Sequence, residues 1–210
     1  MEDAMKIGVL GTGMVGDAIA SKLIALGHEV MMGSRDAKNA KAAAWAERIG
    51  GRAQIGTFAD TARFAQVLFN CTHGANSVDA LRAAGEKNLA GKVVIDVANI
   101  LPPAVRGPES LGEQLQKSFP EAQVVKALNT INCEVMVDPS KVPGSHSVFM
   151  SGNDAAGKST ARQLLEAFGW RDIIDLGDIS NARATESYMS LWLALWNTLG
   201  TLHFNIKVVH

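Results

Sequence analysis

The residues with the clearest chemical pattern are Gly11, Thr12, Gly13, Met14, Val15 and Gly16, spaced as G-x-G-x-x-G. An apolar run precedes them and a helix-period segment follows, which is the context that gives this spacing meaning. Gly11 suits a tight turn. Gly13 removes a side chain where a pyrophosphate comes close, and Gly16 lets the helix pack on the strand. The free N–H groups and partial positive charge of the helix start then face the anion. These six residues are expected to hold a dinucleotide pyrophosphate.

The second strand ends in Gly33-Ser34-Arg35-Asp36. A carboxylate near this point usually takes the ribose 2′-OH of NAD. Here a hydroxyl and a guanidinium come first, and that pair suits the 2′-phosphate of NADP. Asp36 either turns outward as the cap of the next helix or reaches the ribose. The later strand ends deliver Thr72, His73 and Gly74, then Ala98 and Asn99, then Asn129 and Thr130. Ligands of open α/β sheets sit beyond such carboxyl ends. Gly74 is expected to let the cofactor pass close. The amides and hydroxyls can hold a carboxamide or a substrate carbonyl without a charge. His73 and Asn129 are the candidates for a catalytic role; His73 is either an acid/base or a backbone-bonded spacer. Cys71 ends an apolar strand and reads as core. Asn76 and Ser77 read as a helix cap, and His203 could face a pocket. Neither a metal-ligand spacing nor a G-x-S-x-G nucleophile turn accompanies them.

The elements that must position these residues follow from hydrophobic period. Strands are expected over residues 7–10, 29–33, 53–55, 66–71, 91–97, 123–128, 146–151 and 171–176. Helices are expected over 17–26, 36–49, a short one from a capping box at Thr57–Asp60, 77–84, 111–119, a turn at 132–137, 154–168 and 180–199, the longest. Residues 204–209 are a possible tail strand, and 99–110, with Pro102, Pro103 and Pro108, a loop. Short apolar runs alternating with helices imply an α/β fold: a Rossmann-type, doubly wound, mostly parallel sheet with a C-terminal α/β extension and a long C-terminal helix. Residues 1–210 read as one unit, with a dinucleotide-binding core over 1–130 and an extension over 131–210 for acceptor and dimer contacts.

Composition narrows the class. The chain has 210 residues and a net charge of -1, without a basic stripe, so nucleic acid is not an expected partner. Cys71 and Cys133 are the two cysteines, with no CxxC, which fits a reducing cytoplasm. Acidic residues at the N-terminus argue against a signal peptide. The stretch between Glu186 and Lys207 has no Asp, Glu, Lys or Arg, but Asn197, Thr198, Gly200, Thr201, His203 and Asn205 interrupt it. It is expected to be a buried helix or a dimer interface rather than a membrane span. The 20 glycines exceed the roughly 15 of an average chain this long.

GTGMVG, GSRD about twenty residues on, VVKALNTI, and GDISNARATES before a long apolar helix together resemble the NADP-dependent oxidoreductases of coenzyme F420, a deazaflavin. The likeness runs from Met5 to the final FNIKVV. The N-terminal reductase domain of STEAP-type metalloreductases is similar too. The resemblance implies a Rossmann domain with a small C-terminal part, dimerisation, and NADP lying over the strand ends, with Thr12, Ser34 and Arg35 on family NADP-binding positions. It also implies hydride transfer between nicotinamide C4 and a deazaflavin ring stacked nearby, chemistry that needs positioning more than a strong acid or base. The best-known deazaflavin reductases carry His where Asn129 stands and an Ile-Pro turn at Thr72-His73. Ser187 keeps a family hydroxyl near the deazaflavin, but Met189 stands in place of Thr.

The expectation is an NADP(H)-dependent oxidoreductase that passes hydride to coenzyme F420, a flavin or another small acceptor. Asn129, Thr130, Ser187, Met189 and Trp192 would lie on the acceptor side. Trp192 and Trp196 share a helix face, as core, dimer seam or a wall for a flat ring. The alternatives are an NADP(H)-binding redox sensor and a reductase-complex subunit that docks through the Trp-bearing helix.

Overall fold

A computed structural model describes residues 4–101 and 109–209. Eight strands form one sheet: β1 Lys6–Leu10, β2 Glu29–Ser34, β3 Ala53–Thr57, β4 Val67–Asn70, β5 Val93–Asp96, β6 Gln123–Ala127, β7 Val148–Gly152 and β8 Ile173–Asp175. Their spatial order is β3-β2-β1-β4-β5-β6-β7-β8. Every neighbouring pair is parallel except β6 with β7. The order reverses between β1 and β4, the switch point where ligands of such sheets bind. Strands of the extension continue the same sheet.

Ten helices lie among the described residues: α1 Met14–Ala25, α2 Ala40–Ile49, α3 Phe58–Phe64, α4 Ser77–Ala84, α5 Glu86–Leu89, α6 Leu111–Ser118, α7 Cys133–Val137, α8 Ala155–Phe168, α9 Ala182–Ser187 and α10 Met189–Leu199. Alternation along the strands feeds two cores. Ile7, Val9, Val67, Phe69, Val93, Ile95, Val125 and Ala127 face one side, under Ile19 and Leu23 of α1 and Trp45 of α2. Leu10, Leu68, Val94 and Val124 face the other, under Ala62 of α3, Leu81 of α4 and Leu115 of α6. Helix α8 buries Ala161, Leu164, Leu165 and Phe168, one stripe at helical spacing. Each such Leu or Phe contributes roughly 1.5–3 kcal/mol.

Local signals set several boundaries. Thr57 and Asp60 form the expected capping box at α3, and Ser110 and Glu113 form a second at α6. The helix expected from residue 36 begins at Ala40, because Asn39 takes the N–H groups of Lys41 and Ala42. Asp36 is therefore not its cap; its carboxylate accepts from Lys38 N–H in a local turn. Asn76 makes no side-chain cap at α4. The helix expected over 180–199 is divided: a 3-10 turn at Ile179–Asn181, then α9, then α10. They meet at Tyr188, whose ψ of -24° tightens the turn. Residues 204–209 form no strand. The tail is tied to Ser147 by single bonds, from Ser147 N–H to the Ile206 carbonyl at 2.8 Å and from Val208 N–H to Ser147 Oγ at 3.0 Å, with no ladder. Pro102, Pro103 and Pro108 of the expected loop lie outside the described residues.

Trp170 anchors the extension. It is 1% exposed, and its indole N–H donates to the Met136 carbonyl at 2.8 Å. Trp170→Ala should lower the unfolding free energy by about 3–5 kcal/mol, read from urea melts; a loss near zero would mean that this junction is not part of the cooperative core.

Candidate functional site

The strand ends on the switch-point side open into a cleft of about 600 Å³. Gly11, Thr12 and Gly13 form its floor, with Ser34, Arg35, Thr72 and His73 around it. Gly11 has φ +119°, and a Cβ there would meet the Cys71 carbonyl oxygen at 2.6 Å. Its N–H donates to the Gly33 carbonyl at 2.9 Å. The chain thus turns sharply against β2 and the end of β4, a conformation that favours glycine. A Cβ on Gly16 would stand 2.2 Å from the Gly11 carbonyl oxygen, so helix and strand pack there without side chains. Gly13 differs: nothing lies within 4 Å of its notional Cβ. It caps α1 with no side-chain bond, leaving first-turn N–H groups directed at bare, open backbone. That cradle fits a pyrophosphate.

The remaining expected residues divide. Met14 is 81% exposed and Val15 packs on the core. Arg35 is exposed, lines the cleft and makes no ion pair among the described residues. Ser34 also lines the cleft, but its hydroxyl donates to the Asp36 carbonyl, so that proton is committed to the turn. At Gly74 a Cβ would meet the Asn99 carbonyl oxygen at 2.4 Å, and its N–H donates to that oxygen at 3.1 Å. Its missing side chain lets the loops after β4 and β5 close on one another. His73 stands exposed on the cleft wall. Cys71 is half-buried at the cleft, and burial pushes its thiol up, which keeps it protonated at neutral pH. His203 faces Glu134 at 3.1 Å and does not line the cleft.

At the ends of β5 and β6 three residues come together. Asn99 Nδ2 donates to the Asn129 carbonyl at 2.7 Å and to Met189 Sδ at 3.2 Å, and Asn129 Nδ2 donates back to Asn99 Oδ1 at 3.1 Å. Asn129 follows Leu128, whose φ is +62°. A side-chain-bearing residue held there carries strain of about 1 kcal/mol or more. Thr130 is buried beside them in sequence, and Ser187 is exposed, its hydroxyl donating to the Arg183 carbonyl at 2.7 Å. Asn99 and Ser187 share a smaller cavity of about 180 Å³. Trp192 packs on Trp196 and Phe204, with centroids at 5.7 and 5.4 Å.

Beneath these loops lies a charged row not anticipated in the sequence reading. Asn70, Asp96 and Lys126 occupy one register across β4, β5 and β6. Asn70 Nδ2 donates to Asp96 Oδ1 at 2.7 Å, and Lys126 Nζ donates to Asp96 Oδ2 at 2.8 Å. Lys126 also reaches Glu186 at 3.2 Å and donates to the Ala98 carbonyl. Glu186 takes the N–H groups of Leu111 and Gly112 at the start of α6. Burial pushes the Asp96 carboxyl above the usual carboxylate range, and the Lys126 ammonium offsets only part of that rise. The signal was present: one Asp in VVIDV and one Lys in VVKAL, each inside an otherwise apolar run. The cleft also gains Asn39, Phe58, Asn76 and Asp79, from helix starts that glycine and strand patterns do not mark.

The parallel sheet, its switch point and the glycine turn define a dinucleotide-binding protein of the Rossmann type. Residues 6–100 match the family model described as NADP oxidoreductase, coenzyme F420-dependent. A solved protein of Arthrobacter sp. FB24, described provisionally as an F420-dependent NADP-reductase, is 44% identical over 99% of this chain and 100% of its own, with a TM-score of 0.91. The F420-dependent NADP reductase of Methanothermobacter marburgensis is 28% identical over 91% of this chain and 92% of that protein. Metalloreductase STEAP3 of Rattus norvegicus is 26% identical over 93% of this chain, which spans 38% of that protein's length. The chain belongs to the family of coenzyme F420-dependent NADP oxidoreductases. An imine reductase of Aspergillus terreus shares the fold, with a TM-score of 0.66 at 19% identity over 94% of this chain and 63% of that one.

Two glycine replacements separate fold from ligand. Gly13→Ser keeps a favourable helix cap and should leave the melting temperature unchanged, while calorimetry shows NADPH binding weakened by on the order of tenfold or more, about 1.4 kcal/mol. Gly16→Ala should instead destabilise the fold by about 1–3 kcal/mol. Equal stability of the two variants would contradict the assignment.

Proposed function

We propose that this protein transfers hydride between NADP(H) and a small conjugated ring, a deazaflavin such as coenzyme F420 or a flavin. The observation that carries the reading is the meeting of Asn99, Asn129 and Met189 at the ends of β5 and β6, where the groups that bond one another are amides and a thioether rather than an acid or a base. Of the charged groups close by, Asp96 and Lys126 are 0% and 1% exposed and bonded to one another. Glu109, Arg183 and Glu186 line the small cavity beside Asn99, where Glu186 is held by Lys126 and the start of α6 and Arg183 by Glu113. A ketone or aldehyde becomes an alkoxide on reduction and calls for a proton donor. A flavin or deazaflavin spreads the incoming electron pair over its own ring carbonyls, so positioning suffices.

NADPH, when bound, supplies the hydride. The start of α1 with Gly11, Thr12 and Gly13 would hold the pyrophosphate, and Arg35 the 2′-phosphate. Thr72, Ala98, Asn99 and Asn129 would border the nicotinamide end. Thr130, Ser187, Met189 and Trp192 would border the acceptor. Ser34 shapes the turn that presents Arg35, and Met14 flanks the helix start. The two unbridged thiols suit a reducing compartment such as the cytoplasm. The apolar flank of α10, with Leu191, Trp196 and Leu199 exposed, supports a homodimer seam.

Three measurements test this. Arg35→Ala should weaken NADPH binding by roughly tenfold or more and leave NADH nearly unchanged, since a charge-assisted phosphate contact is lost; equal losses for both would defeat the NADP assignment. NADPH oxidation should proceed with coenzyme F420 or FMN in an acceptor screen. NADPH binding with no turnover on any acceptor would favour a redox sensor or a subunit of a reductase complex. Sedimentation should show a dimer that Trp196→Glu converts to monomer; an unaltered protein that sediments as a monomer removes the seam.

A further inference from the structure

The buried row lies directly under the loops assigned to the nicotinamide end. Lys126 Nζ binds Asp96, Glu186 and the Ala98 carbonyl. Those partners belong to β5, to α9 and to the loop that continues into Asn99. Asp96 Oδ1 receives Asn70 Nδ2 at 2.7 Å, and Asn70 Oδ1 receives the Thr72 hydroxyl at 2.7 Å. Thr72 Oγ1 lies 2.9 Å from Ser77 Oγ at the start of α4. On the other flank, Asn99 and Asn129 are joined by two hydrogen bonds, and Leu128 holds its left-handed φ of +62° between Lys126 and Asn129. One ammonium group thus ties the ends of β4, β5 and β6 to α9. Among the described residues, none of the hydrogen bonds named here reaches Gly11, Gly13 or Arg35, which stand at the ends of β1 and β2 and the start of α1.

Charge placement explains why a lysine stands there. Two carboxylates enter an apolar layer. Glu186 is met by two N–H groups at the start of α6, at 2.9 and 3.0 Å. Asp96 has the Lys126 ammonium and two neutral donors, Asn70 Nδ2 and the Ala98 N–H at 3.2 Å. A buried carboxylate without its cation is strongly disfavoured, so the strand ends can close on one another only with Lys126 among them. A fully bonded buried network of this kind fixes geometry more than it adds stability.

We propose that Lys126 is a positioning residue for the nicotinamide end of the cofactor, acting through Asp96–Asn70–Thr72 on one flank and Ala98–Asn99–Asn129 on the other, while the phosphate end binds independently of it. The proposal rests on the assignment of these loops to the nicotinamide end given above. It separates two ends of one ligand, so it can be tested without any acceptor.

The probes are NADPH and 2′,5′-ADP, which carries the 2′-phosphate and adenosine but no nicotinamide. Lys126→Met alone strands Asp96 and can fail to fold, so the decisive variant is Lys126→Met with Asp96→Asn. It removes the Asp96–Lys126 pair at nearly constant volume, a replacement that buried pairs tolerate, while Glu186 loses the ammonium but keeps the N–H groups of Leu111 and Gly112. Calorimetry on the full chain should show 2′,5′-ADP affinity unchanged within about twofold and NADPH affinity reduced roughly tenfold, the scale of one or two lost hydrogen bonds. The emission of bound NADPH should also shift toward that of free NADPH. Affinities that fall together, or NADPH affinity that does not fall, would overturn the proposal. An unaltered protein that fails to bind 2′,5′-ADP would overturn the cofactor-site assignment, and this inference with it.

Discussion

The structure depends on a buried ion pair placed where three parallel strands end. Asp96 and Lys126 lie side by side in register, with Asn70 completing the row. Removing two charges from water is costly, and their attraction offsets that cost only when every remaining lone pair and proton finds a partner. Here the partners are found. Asn70 and the Ala98 N–H satisfy one carboxylate oxygen, Lys126 the other, and the Ala98 carbonyl and Glu186 complete the ammonium. The network is therefore a specification device: it accepts one arrangement of the loops after β4, β5 and β6. Those loops carry Thr72, Asn99 and Asn129.

The phosphate side of the sheet is built by the opposite means. There, backbone meets backbone because side chains are missing. Gly11 turns against the Cys71 carbonyl, and α1 presses on β1 at Gly16. Of the three glycines of the turn, Gly13 alone keeps open space in front of it. Close packing fixes the cradle, and the vacancy at one glycine leaves room for an anion. The two halves of the site thus use distinct physics, steric complementarity at one end and paired charge at the other. Arg35 is the exception: its guanidinium is exposed and unpaired among the described residues, available for an anionic ligand.

Much of this was legible in the chain itself. Apolar runs of strand length marked all eight strands, and a capping box marked α3, because burial on both sheet faces and unpaired helix N–H groups each impose a local residue pattern. The glycine turn was legible through its fixed spacing between strand and helix, and the Gly16–Gly11 contact is local, although the Cys71 carbonyl that crowds Gly11 comes from another strand. The packing role of Gly74 was not legible, because the Asn99 carbonyl that excludes its side chain arrives from another strand. Ser34 was assigned a phosphate contact, but its hydroxyl is committed to a turn two residues long. The break at Tyr188 interrupts a helix whose apolar pattern runs on through it.

By itself the sequence determined the element types, the mostly parallel doubly wound sheet and the dinucleotide turn, since each follows from period, propensity and spacing within a few residues. Tertiary structure alone decided that Asp96, Lys126 and Glu186 are partners rather than three unrelated charges, and that Asn99, Asn129 and Met189 meet. Those groups are separated by 30 to 90 positions along the chain. Which of them touch is set by strand register and by how α9 packs, quantities that no local pattern encodes.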